Sequence, residues 1–189
     1  DGCALHDRGR MIETASTGTA SALFAFDMPA RAALWFFLTT LPVCFWVMLS
    51  DLRAMRIPNK AVLTLFGLYL LVGVWVLPLP LFLMQLLNLV VVLLIGFVLN
   101  AGGVFGAGDA KFAAAAAPFV LLGDASFVMI LLAVNLLAAF LTHRIAGRTP
   151  LRQLAPGWES WERKKDFPMG LSLGSTLSIY LGLAAIYGS

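Results

Sequence analysis

The chain has 189 residues, 60% hydrophobic and only 12% charged, with a net charge of +3 and a mean hydropathy of +0.90. Soluble domains carry about 25% charged residues, so this composition excludes an ordinary water-soluble domain and predicts one membrane-embedded bundle. The pI near 9.1 requires only basic loops facing anionic lipid, and no nucleic-acid partner is expected.

In chain order, residues 1–29 read as a polar, disordered tail and residues 30–189 as a single membrane domain, with Met11 a candidate natural start. A bilayer-crossing helix needs ~20 apolar residues. Ala32 to Ser50 qualifies first and is closed by Asp51. Its sequel, Asp51-Leu52-Arg53, is not a small-residue cleavage site, so the run is a true span rather than a signal peptide. Ala61 to Leu77 follows, ended by Pro78-Leu79-Pro80, and then Leu81 to Asn100. A glycine-rich stretch, 101–109, leads into a shorter run from Ala110 to Leu122 that contains Pro118. Ala125 to Thr142 and Gly170 to Tyr187 complete the set. The expected fold is therefore all-α, a polytopic bundle of about six transmembrane helices.

Lysine and arginine fix the expected orientation. Arg53, Arg56 and Lys60 lie in loop 51–60, and Lys111 in loop 101–111. Arg144, Arg148, Arg152, Arg163, Lys164 and Lys165 lie in segment 143–168. The alternate connections, 78–80 and 123–124, hold no basic residue. Six spans put the basic loops on one side, which should be the cytoplasm, and both termini on the other. Arg8, Arg10 and Arg31 in the tail oppose this weakly, diluted by Asp1, Asp7, Glu13 and Asp27.

Two aspartates stand at the edges of these spans, on the same predicted side: Asp51, and Asp109 in Gly106-Ala107-Gly108-Asp109-Ala110-Lys111. A carboxylate kept beside hydrocarbon is costly and is a functional candidate. Peptide hydrolysis needs one carboxylate to take a proton from water and another to polarise the scissile carbonyl. Two such groups held close share one proton, which supplies an acid and a base together. Spans that lack a His or Lys beside their Ser and Thr residues offer no rival nucleophile. Gly102, Gly103, Gly106 and Gly108 give room for positive φ and for an extended substrate strand. Lys111 suits anchoring of a loop or a lipid phosphate, without a catalytic role. Ile57-Pro58-Asn59 opens the second span, with Pro58 setting the turn.

Other polar residues read more plainly. Cys3 and Cys44 lack CxxC partners, and His6 and His143 lie far from any Cys/His cluster, so neither a metal nor a cofactor is expected. Cys44 reads as a small buried thiol and His143 as an interfacial anchor. Gln85, Asn88 and Asn135 sit within spans and suit interhelical hydrogen bonds. Segment 143–168, with Trp158 and Trp161, reads as an amphipathic interfacial helix. A second reading has Glu159, Glu162 and Asp166 guiding a basic peptide, which Arg163, Lys164 and Lys165 would oppose.

Taken together, Asp51 with Arg53 and Ile57-Pro58-Asn59, then Gly106 to Lys111, resemble the type IV prepilin peptidase family across residues 30–187. Phe167-Pro168-Met169-Gly170 is similar to that family's Pro-aromatic-Gly motif, with Met169 in place of the aromatic. The resemblance implies an aspartyl endopeptidase of the bacterial inner membrane that removes the basic leader of prepilins or pseudopilins at the cytoplasmic face. Asp51 and Asp109 match the catalytic aspartates; Arg53, Pro58, Asn59, Gly106, Gly108 and Lys111 fall in the supporting motifs. The GxGD element is shared with presenilin-type proteases. The chain has neither the cysteine pairs nor, between its first two helices, the room for the cytoplasmic domain of the larger members, so it resembles the short, Flp-type (tight-adherence) branch, which implies no methyltransferase activity. Prepilin-type substrates and membrane lipids are the expected partners. The alternatives are an archaeal preflagellin peptidase, or a non-catalytic transporter or assembly scaffold, although no internal repeat supports a transporter.

Overall fold

The computed structural model of the protein describes residues 26–103, 105–149, 157–161 and 167–188. Among the described residues six α-helices follow one another: α1 Ala30–Ala54, α2 Asn59–Val76, α3 Leu79–Ala101, α4 Ala107–Ala116, α5 Ala125–Ala146 and α6 Met169–Tyr187. Short 3₁₀ turns occupy Ala117–Phe119 and Glu159–Trp161. Every helix except α4 is long and apolar enough to cross a membrane. Residues 1–25, Glu162, Arg163, Lys164, Lys165, Asp166 and Arg152 lie outside the described residues, and with them the expected tail and most of the interfacial segment.

The apolar faces point both ways, as a bilayer requires. Trp75, Leu71, Phe97 and Val98 are exposed, and α5 has no buried residue at all. Lipid in place of water accounts for such a surface. The inner core gathers Phe36, Tyr69, Phe112, Phe119, Tyr180 and Leu181. Phe36 stacks on Tyr69 with ring centroids 5.9 Å apart, and Phe119 meets both rings edge-on. Helix α6 packs along α1, while α4 packs against α2, α3 and α6. Cys44 is a free, buried thiol on α1.

The fourth apolar run departs from expectation. It contains a helix of only 10 residues, about 15 Å long at 1.5 Å per residue, half of what a bilayer core demands. Pro118 cannot supply the next helical N–H, and the chain tightens into a 3₁₀ turn at Ala117–Phe119. Among the described residues, five long helices rather than six therefore fit a membrane. The segment still runs from one end of the bundle to the other. Gly108 packs on Ile57, just beyond the end of α1, whereas Asp124 accepts hydrogen bonds from the Asp27 and Met28 N–H groups, just before its start.

Non-helical backbone survives inside a bundle only when its polar groups are paired. Gln85 of α3 provides this, donating through Nε2 to the carbonyls of Pro118 (3.1 Å) and Val120 (2.7 Å). Asn88 in turn donates to Gln85 Oε1 at 2.8 Å. Asn135 crosses from α5 to α6, donating to Ser172 O, Ser175 Oγ and Thr176 Oγ1. Gln85 and Asn135 thus connect separate elements, as expected, whereas Asn88 bonds within its own helix α3 rather than across to another.

The two chain ends meet at the Asp124 end of the bundle. Phe26 and Gly188 form a β-bridge, and Phe26 and Met28 are buried against α6 and its neighbours. At the opposite end, His143 stacks on Trp161 at 4.6 Å and Trp161 on Trp158 at 6.0 Å. The described part of the connection after α5 is thus an aromatic stack closed by one 3₁₀ turn.

Candidate active site

Asp51 lies inside α1, one turn before its end, rather than terminating it. The helix closes at Met55, which takes the left-handed conformation (φ 49°, ψ 39°) and donates its N–H to Asp51 O at 2.9 Å. Ser50 Oγ then donates to Arg56 O at 3.0 Å and draws the following loop back along the helix. This compact exit delivers Ile57-Pro58-Asn59 beside the same end of α1. Pro58 is the N-cap of α2, with its fixed φ suited to that place.

The Asp51 side chain is 5% exposed. A carboxylate so buried needs donors, and they come from the start of α6: the Gly170 N–H donates to Asp51 Oδ2 at 2.7 Å, and the Leu171 N–H is a second backbone donor to the carboxyl. Gly170 is the second residue of α6, whose N-cap is Pro168 and has no side-chain cap of its own. Asp51 therefore caps α6 from another helix, satisfying an N–H that would otherwise be orphaned. Glycine fits closely here: a Cβ on Gly170 would stand 3.0 Å from Oδ2 and 3.1 Å from Cγ of Asp51, so the carboxyl would have to shift to admit one.

Asp109 occupies the first turn of α4, where the helix dipole favours an acidic group. It is half-buried. Burial first, and then the negative charge of Asp51, push its pKa from 3.8 to about 6. The Gly106 backbone comes so close to the Asp109 carboxylate that a Cβ there would sit 2.5 Å from Oδ2. Of the four glycines in this loop, only Gly103 uses positive φ (72°); Gly106 serves by being small, whereas a Cβ at Gly108 would make only ordinary contact with Ile57.

The two motifs are in contact. Gly108 lies against Ile57, and Lys111 Nζ makes a long hydrogen bond of 3.5 Å to Asn59 Oδ1. Helix α4 packs on α6, the helix that Asp51 caps. One end of the bundle thus holds Asp51, Asp109, Gly106, Gly108, Lys111, Pro58, Asn59 and Gly170. Arg53 is exposed in the last turn of α1, and no described bond links it to either aspartate. Among the described residues, no three His, Cys, Asp or Glu side chains cluster as a metal site would require. Gly170 is the partner whose role sequence reasoning missed. Its signal was the Pro168-Met169-Gly170 run opening the last span.

The architecture defines a multi-pass, all-helical membrane protein with two carboxylates, Asp51 and Asp109, at one end of the bundle. The family model described as "Type IV leader peptidase family" matches residues 34–143, a stretch that includes both aspartates. The chain belongs to that family, and is therefore a peptidase. Searches among curated proteins and among solved structures return no match.

Proposed function

We propose that the chain is an aspartyl endopeptidase that removes the N-terminal leader from type IV prepilins or pseudopilins, of the Flp type, without methylating the new terminus. The observation that supports this most directly is the meeting of the two motifs at one end of the bundle, with the Asp51 charge felt at Asp109. In the proposed reaction, the ionised member of the pair takes a proton from water as its oxygen attacks the scissile carbonyl. The protonated member donates a hydrogen bond to the carbonyl oxygen, which takes up the negative charge. Collapse of the tetrahedral intermediate breaks the C–N bond, and the abstracted proton passes to the leaving amine. Two carboxylates sharing one proton meet both demands at once, and their titration belongs to the pair. Gly106 and Gly108 keep the backbone beside Asp109 open to a substrate strand. Lys111, bonded to Asn59, holds the two loops together.

The site faces the cytoplasm of a bacterial inner membrane in this reading. Arg53, Arg56, Lys60, Lys111, Arg144 and Arg148 gather at the Asp51 end of the described structure, with Arg31 alone among the basic residues at the other. That asymmetry is the one expected of a cytoplasmic face. The exposed apolar helix faces meet membrane lipid.

The test is co-expression with an Flp-type prepilin, scoring leader loss by gel shift for wild type, Asp51→Asn and Asp109→Asn. Processing by the wild type alone is expected. Processing at the wild-type rate by either variant overturns the paired-aspartate mechanism. An archaeal preflagellin, offered in parallel, distinguishes the substrate branch.

A further inference from the structure

The contact between Asp51 and Gly170 does more than close a helix end. An amide N–H can only donate, so the oxygen that receives it, Asp51 Oδ2, presents a lone pair to Gly170 at 2.7 Å. A proton on Oδ2 would point at another hydrogen. The contact therefore distinguishes the two oxygens of a group that, free in water, would exchange them by simple rotation. It also removes that rotation: Oδ2 is bonded, the residue is 5% exposed, and a Cβ at Gly170 would press on Oδ2, Cβ and Cγ of Asp51 at 3.0–3.1 Å. The N-terminal end of α6 adds a favourable field for negative charge on the same oxygen.

We infer that Gly170 is a positioning residue for the peptidase reaction, which fixes the Asp51 carboxylate and confines its exchangeable proton to Oδ1. This rests on the aspartyl peptidase reading above. Oδ2 stays the acceptor throughout the cycle, anchored to α6. Oδ1 is the oxygen that takes the proton from water and returns it to the leaving amine. The hydrogen bond needs only a backbone N–H, which any residue but proline supplies; the close approach to Asp51 is what favours glycine at this position. Asp109 fits the complementary part: burial and the Asp51 charge raise its pKa to about 6, so it holds a proton more readily than a free carboxyl does.

Two measurements on the full chain in detergent micelles test this. Gly170 is the only glycine preceded by methionine, so [¹³C′]Met/[¹⁵N]Gly labelling isolates its amide in one NMR peak without any variant at that position. The expected peak lies downfield in the proton dimension and moves upfield in Asp51→Ala; a peak that stays in place overturns the hydrogen bond. The second measurement is steady-state cleavage of a prepilin peptide by Gly170→Ala and, as a glycine control in open space on α2, Gly67→Ala. Gly170→Ala is expected to lose kcat, by at most the roughly 10²-fold of a 1 Å misplacement of a reacting group, with KM little changed, while Gly67→Ala retains wild-type kcat. Wild-type kcat in Gly170→Ala overturns the positioning role. A wild-type enzyme that cleaves no prepilin-type peptide overturns the peptidase reading instead, and the amide peak then still reports separately on the contact.

Discussion

The Gln85 carboxamide donates to the Val120 carbonyl at 2.7 Å and to the Pro118 carbonyl at 3.1 Å, bridging α3 to the point where the fourth apolar run stops being helical. Pro118 makes that break unavoidable, and the bundle interior makes unpaired carbonyls there expensive. Gln85→Leu keeps the approximate volume and removes both donors. Each buried acceptor left unsatisfied costs roughly 1–3 kcal/mol, so Gln85→Leu should lower the apparent melting temperature in detergent sharply. Asn88→Ala, which removes only a donor to Gln85 Oε1, should do so far less. Equal, small shifts in the two variants would mean that the break at Pro118 is satisfied some other way.

This bridge also marks where sequence reasoning reached its limit. Hydropathy located every apolar run, and the helix bounds fall close to those expected, because a bilayer imposes length and apolarity together. Hydropathy does not report helix continuity, so the run 110–122 read as a sixth span although Pro118 stood in it. The two aspartates were legible because charge beside apolar runs is rare. Their surroundings were not. The donor to Asp51 lies 119 residues away, a separation that no local pattern encodes. Asp124 went unremarked in a two-residue connection, yet it was the acidic residue in a link otherwise free of charge.

Asp124 is the fastening at the far end of the bundle. It is buried, accepts from the Asp27 N–H at 2.9 Å and the Met28 N–H at 3.2 Å, and takes the Tyr180 hydroxyl proton donor at 2.7 Å. It joins the entry to α1, the connection before α5 and the middle of α6. Hydrogen bonds to a charged acceptor contribute about 1.5–3 kcal/mol each, and neighbours do not add simply. Asp124→Ala should therefore destabilise more than Tyr180→Phe, and the double variant should fall short of the sum of the two losses. Thermal unfolding of the four proteins in one detergent decides it; strict additivity would mean that the Tyr180 contact is energetically idle. Leader cleavage at permissive temperature should survive in these variants, since Asp124 lies at the end of the bundle opposite Asp51.

Met55 carries a cost that glycine would remove. Its left-handed backbone (φ 49°, ψ 39°) closes α1, a conformation that disfavours an L side chain by roughly 1–2 kcal/mol and that helix ends usually assign to glycine. Met55→Gly and Met55→Ala lose nearly the same side chain, so their difference isolates the backbone. The glycine variant should be the more stable of the two by about 1 kcal/mol, the strain relieved less the extra chain entropy of glycine. A glycine variant no better than alanine would show that the cap is unstrained. Should Met55→Gly gain stability while slowing cleavage, the strain would be tied to holding Ile57-Pro58-Asn59 against the Gly108 loop.

The raised pKa of Asp109 has a consequence that requires no substrate. In the unfolded chain the group loses its proton near 3.8, and in the folded protein near 6, because burial and the Asp51 charge disfavour its ionised form. Lys60 on α2 and Lys111 on α4 are exposed, and helix α3 carries no ionisable side chain, so no buried cation offsets that pressure on the elements packed against it. Below pH 3.8 both states are protonated and the group contributes nothing to stability. As pH rises from about 4 to 6 the unfolded state ionises first, so the folded state loses relative stability, and above pH 6 the loss is complete. Asp109→Asn abolishes this dependence. It should therefore raise the apparent melting temperature at pH 7.5 and leave it nearly unchanged at pH 4.0, while eliminating cleavage. Asp51→Asn should move the Asp109 midpoint below 6 by removing the charge and leaving the burial, which isotope-edited infrared spectroscopy of the carboxyl band can follow. An Asp109→Asn variant that is less stable than wild type at pH 7.5 would contradict the destabilised carboxylate, and an unmoved midpoint in Asp51→Asn would mean that the two aspartates do not feel one another.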